Sequence, residues 1–235
     1  STLFPYTTLF RSRTGTGCNT KNEIKERRQK DFILEEKDLI PEGVAFDSIS
    51  NTVFISSTYK RKIIRIDSTG KVSDFIKEGQ DGIWSTVGME VDARRRHLWV
   101  VSSQANEVLP LKNPDSLQWR SAIYQYNIET GSLIKSFLLP AKNVFLNDLT
   151  ISKNGDVYIT ESMQNNIYRV QAGADSIQLF LSPKLYTFLN GICFSDQPGK
   201  LFASTTEGVL KIDVASGQYT GSRSEERRVG KECRS

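Results

Sequence analysis

Sulfur, histidine and long apolar runs are all scarce in this 235-residue chain. It has three cysteines and one histidine. Cys193 lies in an apolar run and Cys233 in the last segment, so the count supports no disulfide framework. No stretch reaches the roughly 18 apolar residues that a membrane-crossing helix needs, so the chain as given has no transmembrane segment. Helical periodicity is absent beyond about Leu39. Charge of one sign is scarce as well: the formal net charge is +4, and Arg11 with the basic segment Arg223–Ser235 supplies all but about +1 of it. That balance argues for neither nucleic acid nor an anionic membrane surface as a partner.

The two ends have an unusual relation. Written in one permitted set of codons, Thr2–Ser12 (TLFPYTTLFRS) has a reverse complement that translates as Arg223–Cys233 (RSEERRVGKEC). Unrelated termini do not encode one another in this way, and the DNA resembles a common short-read sequencing adapter. Residues 1–12 and 223–235 are therefore read as translated adapter and set aside from fold reasoning. Residues 13–39 read as a polar leader or tether. Within it, TGTGCNTKNEIKERRQK resembles the cleavage site of a bacterial lipoprotein, with Gly15 where Leu is usual. That reading makes Cys18 a lipid anchor and the location periplasmic or at the cell envelope. The alternative is a free thiol in a polar leader and a cytoplasmic location.

What is abundant is repetition. Four segments begin alike: PEGVAFD (41–47), TVGMEVD (86–92), FLNDLTIS (145–152) and FLNGICFS (188–195). Each is followed by a second apolar run (NTVFISS, RHLWVVSS, GDVYITES, KLFASTT) and a third (KIIRID, AIYQYNI, NIYRV, GVLKID). Fourth runs (VSDFI, LIKSFLL, IQLFL) close the first three units, and turn signals such as STG, ETG, KNGD and ASG separate the runs. Aligning Gly43, Gly88, Asp148 and Gly191 gives spacings of 45, 60 and 43 residues, the long one holding an inserted loop at 105–120. Four strands per unit at that period predict an all-β fold, a partial β-propeller over residues 40–222 with four four-stranded antiparallel blades. The fourth strand of the last unit is only beginning after Gln218, so the chain is expected to be part of a larger ring.

The ordered set E-G, N-D, N-G on successive first strands, with VYITES and NNIYRV between them, resembles the gluconolactonase, senescence-marker-protein-30 and paraoxonase-like group of six-bladed propellers. The residues preceding the aligned positions are Glu42, Val87, Asn147 and Asn190. First strands are innermost in a propeller, so these residues should converge at one end of the channel. One carboxylate and two amide oxygens form a hard-oxygen set suited to Ca2+. The resemblance implies that Glu42, Asn147 and Asn190 hold a divalent cation that polarises a lactone or ester carbonyl, with Asp148 behind them or at a structural ion. It also implies a small-molecule substrate of lactone or sugar-acid type. The family's fifth-blade carboxylate has no counterpart here, and Val87 stands where paraoxonase-like members have His, so no general base is visible. The alternative is a non-catalytic extracytoplasmic ligand-binding or scaffold propeller whose asparagines are structural.

Several other residues have readings of their own. Asp81 and Trp84, with Trp119 of the inserted loop, are candidates for lining the substrate entrance; Leu109 and Trp119 read equally as a lid or as an apolar anchor. His97 reads as a surface or interblade residue, and Arg94–Arg96 as a solvated turn. Phe54, Trp99, Tyr158 and Phe202 recur at matching places in the four second strands and read as interblade core.

Overall fold

Residues 34–104 and 120–223 are described by a computed structural model of the chain. Alternation of apolar and polar residues in short runs, broken by Asp, Asn, Ser and Gly, dictates hairpins rather than helices. Sixteen strands result among the described residues, grouped in chain order into four antiparallel sheets. The first blade holds β1 (Pro41–Asp47), β2 (Thr52–Ser57), β3 (Lys62–Ile66) and β4 (Val72–Ile76). The second holds β5 (Ser85–Asp92), β6 (His97–Gln104), β7 (Arg120–Asn127) and β8 (Leu133–Leu138). The third holds β9 (Leu146–Ile151), β10 (Val157–Glu161), β11 (Asn166–Val170) and β12 (Ile177–Leu181). The fourth holds β13 (Ile192–Phe194), β14 (Lys200–Thr205), β15 (Gly208–Asp213) and β16 (Tyr219–Arg223). The expected partial propeller is thus present, blade for blade. Its last strand pairs with β15 from Ile212 to Gly208, and it reaches one residue into the segment read as adapter. Upstream, Leu39 is buried beside the first blade. Cys18, Leu109, Trp119 and both terminal segments other than Arg223 lie outside the described residues.

The blades pack through their first strands, β1 against β5, β5 against β9 and β9 against β13. Each interface has its own apolar cluster. Phe54 faces Met89 and Val91 between blades one and two; Trp99 faces Leu149 and Ile151 between two and three; Tyr158 faces Ile192 and Phe194 between three and four. Phe54, Trp99 and Tyr158 are all buried, and burying such a side chain contributes about 1.5–3 kcal/mol. Edge-to-face or stacked partners lock each ring: Phe75 on Phe54, Phe137 on Trp99, Phe180 on Tyr158.

Hairpin chemistry adds polar ties. In the first hairpin of the first two blades an Asp caps the turn, Asp47 accepting from Ile49 and Ser50 amides and Asp92 from that of Arg95. The basic run Arg94–Arg96, expected to be a solvated turn, proves to be structural in two of its members. Arg96 grips Asp47 of the preceding blade through both nitrogens, and Arg95 binds Asp92 at 2.7 Å. Sequence offered no sign of this, because Arg96 meets a partner 49 residues away. Arg96 holds a left-handed φ of 59°, uncommon for a residue other than glycine, and the grip on Asp47 offsets that strain.

Candidate functional site: bulged first strands around the channel mouth

The aligned dipeptides are β-bulges. Glu42-Gly43 opposes the single residue Ser56, Val87-Gly88 opposes Val101, and Asn147-Asp148 opposes Thr160. A bulge puts two residues against one and re-aims their side chains, which turns a strand residue toward the channel. In the fourth blade the Asn190 amide donates to the Ser204 carbonyl and the Gly191 carbonyl accepts from the Ser204 amide, the same two-against-one arrangement.

Hydroxyls fasten these bulges. Ser56 Oγ accepts from the Gly43 amide at 2.7 Å and donates to the Val87 carbonyl of the next blade at 2.8 Å. Thr160 Oγ1 accepts from the Asp148 amide at 3.1 Å and donates to the Asn190 carbonyl at 2.5 Å. Two glycines let the strands approach this closely. A Cβ on Gly43 would stand 2.2 Å from the Val87 carbonyl oxygen, and one on Gly88 would stand 2.3 Å from Asp148 Oδ1.

The result is a cavity of about 250 Å³ lined by Glu42, Gly43, Val44, Gly88, Met89, Asn147, Asp148 and Asn190. The fold therefore brings together all four residues expected as cation donors. Asn147 is buried, and its amide is oriented. Ser162 Oγ spends its proton on the Leu189 carbonyl at 2.5 Å, so it can only accept from Asn147 Nδ2, at 3.1 Å. That leaves Oδ1 as the atom Asn147 offers to the cavity. Asp148 is half-buried, and its Oδ2 accepts from the Ile192 amide at 3.1 Å. Glu42 and Asn190 are exposed at the mouth.

Electrostatics at the mouth favour a cation. Loss of hydration pushes the Glu42 carboxyl up, and the nearby charge of Asp148 pushes it further. Loss of hydration also raises Asp148, against the pull of the Ile192 and Leu149 amides. A carboxylate whose proton affinity is raised by burial and by a neighbouring carboxylate is relieved by a nearby positive charge. Among the described residues no group of three or more His, Cys, Asp or Glu is placed to hold a metal ion. The cavity has two carboxylates, and its remaining donors are amides. These oxygen donors fit a hard cation such as Ca2+.

Asp81 and Trp84 do not line the cavity. Asp81 lies in a short 3-10 turn, Gln80–Gly82, and Trp84 packs on the apolar cluster between blades one and two. His97 sits at the opposite ends of the strands, where Asp92 pairs with it across the hairpin, and its Nδ1 is 2.8 Å from Gln125 Nε2. Sequence reasoning missed Glu90, two residues beyond Gly88. Its carboxylate accepts from the Ile151 amide at 3.2 Å, and burial pushes its pKa up to about 7. An acid between the apolar residues Met89 and Val91 was the available signal.

No family model matches the chain, and no curated protein matches it. Solved structures do. A catalytically inactive virginiamycin B lyase from Staphylococcus aureus, solved with quinupristin, is 17% identical with a TM-score of 0.63, covering 81% of this chain and 57% of that one. A gluconolactonase from Xanthomonas campestris is 19% identical with a TM-score of 0.60, covering 79% and 62%. Hydrazine synthase from Kuenenia stuttgartiensis is 18% identical with a TM-score of 0.58, covering 81% and 50%. The chain thus spans between 50% and 62% of the length of these structures. At such identities the likeness is one of fold: this chain is similar to the propellers of a gluconolactonase and a streptogramin-type lyase, and four blades of that fold stand in its described residues.

Proposed function

We propose that the channel mouth binds a divalent cation, Ca2+ by preference, through Glu42, Asn147 and Asn190 with Asp148 behind them, and that the protein this chain belongs to hydrolyses a small lactone or ester of sugar-acid type. The observation that carries this reading is the convergence of those four side chains, from three blades, on one cavity. A divalent cation at such a site supplies Lewis-acid polarisation of a carbonyl oxygen. The chain's own residues supply the rest. Ser162 aims the Asn147 oxygen, Thr160 holds the Asn190 backbone in place, and the bulges turn the donors inward. The fold likeness to a gluconolactonase supports the substrate class.

A second reading, a non-catalytic ligand-binding or scaffold propeller, is favoured by one feature. Val87 takes the second blade's equivalent position and is buried, so that blade brings no acid or base to the mouth.

Calorimetric titration of the chain with CaCl2, beside a Glu42→Ala, Asn147→Ala, Asn190→Ala triple variant, tests the cation site. Saturable binding that the triple variant loses is expected. A folded chain that takes up no Ca2+ would remove the cation from the proposal. Calcium-dependent hydrolysis of gluconolactone above the spontaneous rate then separates enzyme from scaffold.

A further inference from the structure

Asp92 ends the first strand of the second blade as Asp47 ends that of the first. Asp47 is gripped from the next blade by Arg96, which stands two residues before Leu98 in the hairpin between β5 and β6. The same place in the third blade, two residues before Val157, is held by Gly155. The backbone there is left-handed in all four blades, at Asn51 (φ 51°), Arg96 (59°), Gly155 (98°) and Gly199 (70°), so the register is shared and only the second blade puts a long side chain on it. With no arginine arriving from the third blade, Asp92 is bonded within its own hairpin, by the Arg95 amide at 3.1 Å and by Arg95 Nη1 at 2.7 Å. That guanidinium lies so close to Gly155 that a Cβ there would stand 2.7 Å from its Cζ.

A second filling group is cut short at the same interface. Opposite Phe54, Trp99 and Tyr158 the third strands carry Arg65, Gln125 and Arg169. Arg169 covers the Tyr158 ring, its Cζ 5.6 Å from the centroid, and binds Asp156 at 2.6 Å. Gln125 has neither the reach nor the charge to do this over Trp99. With glycine in place of arginine in the turn and glutamine in place of arginine on the strand, a cavity of about 240 Å³ remains between the second and third blades, at the opposite end of the strands from the channel mouth. Trp99 and Phe137, stacked at 5.8 Å, give it an apolar wall. Its charge is cationic, Arg95 and Lys135 against Asp92 alone, and both Asp92 oxygens are taken by Arg95. Lys135 shares its ammonium with the Ala174 carbonyl at 3.0 Å and with Asp175 in an exposed pair of the weak kind. Gln125 Nε2 can only donate, so His97 Nδ1 accepts from it at 2.8 Å and the neutral ring keeps its proton on Nε2.

We propose that this interblade cavity binds a small aromatic carboxylate, its ring against Trp99 and Phe137 and its carboxylate on the Lys135 ammonium and the His97 Nε2–H. The volume lies below the roughly 300–1,000 Å³ of a drug-sized site, so the ligand is a single substituted ring. Charge-assisted hydrogen bonds hold the carboxylate, and offset or edge contacts with the two aromatics favour a ring over an alkyl chain. The site is separate from the channel mouth and stands without the function proposed there.

Calorimetric titration of the full chain with sodium benzoate tests this, beside benzamide, which has the same ring without the charge. Saturable binding of benzoate is expected, with benzamide weaker by about tenfold or more. Lys135→Met keeps the stem and removes the charge, and should weaken benzoate by about tenfold. Ala172→Trp, at an exposed lining position, should abolish binding by filling the cavity. Circular dichroism melting checks that each variant folds. The Glu42→Ala, Asn147→Ala, Asn190→Ala variant should bind benzoate as the unaltered chain does. A folded chain that takes up no benzoate overturns the proposal. So does uptake indifferent to both Lys135→Met and Ala172→Trp, uptake lost in the mouth variant, or benzamide binding as tightly as benzoate.

Discussion

Asp47, wholly buried at the end of β1, is held by both terminal nitrogens of Arg96 from the next blade, at 2.8 and 2.9 Å. The guanidinium holds this carboxyl well below the usual carboxylate range.

Removing either partner should weaken the fold unequally. Arg96→Ala strands a buried carboxylate and should cost about 3–5 kcal/mol. Asp47→Asn leaves a part-exposed arginine that retains Glu129 at 3.4 Å, and should cost less. Urea unfolding of the two variants checks the order; equal losses would mean that the pair is not what anchors the blades. Since the folded pKa lies below the ordinary 3.8, the pair's stabilisation is full above about pH 4 and is lost as pH falls.

Glu90 acts in the opposite sense. Its folded pKa is about 7 against an ordinary 4.5, so the folded state keeps a proton that the unfolded state has released. Stability should therefore decline as pH rises from about 4.5 to 7 and stay reduced above that, by up to about 3 kcal/mol. Glu90→Gln should flatten the profile across that window and raise the midpoint of thermal unfolding at pH 8. An unchanged slope in the variant would assign the effect to another group.

Gly88→Ala should damage the site and the fold together. The new methyl would stand 2.3 Å from Asp148 Oδ1 and 2.6 Å from its Cα, so β5 and β9 must part. A loss of about 3 kcal/mol is expected from overpacking of this kind, with weaker Ca2+ uptake by calorimetry. Tolerance of alanine at wild-type stability would show that the strands are not so closely apposed.

Ser162→Ala should separate aim from presence. It deletes the group that orients Asn147 while leaving all four cavity donors in place, and should weaken Ca2+ binding by about 10- to 100-fold. Ser162→Thr, which retains the hydroxyl, should restore most of the affinity.

Much of the fold was legible because it is periodic. Gly43, Gly88, Asp148 and Gly191 mark the same place in four units, so strand order and the convergence of Glu42, Asn147 and Asn190 follow from one alignment. The repeated second-strand aromatics were legible for the same reason. What stayed hidden depends on which atom meets which across an interface. A serine at position 56 reads as any strand serine until its hydroxyl is seen on the Val87 carbonyl. Arg96 reads as a turn cation until Asp47 is found beneath it, and nothing in the spacing places Asp81 and Trp84 away from the cavity.

The hydroxyl ties carry a consequence for how such a site changes over time. Thr160 and Ser162 belong to the third blade, yet they hold the carbonyls of Asn190 and Leu189 in the fourth. The third blade thus sets the stance of the fourth blade's donor, Asn190, as well as of its own, Asn147. A substitution that loosens one interface is felt as a misplaced oxygen one blade away, so retuning the mouth for another ligand demands matched changes in adjacent repeats.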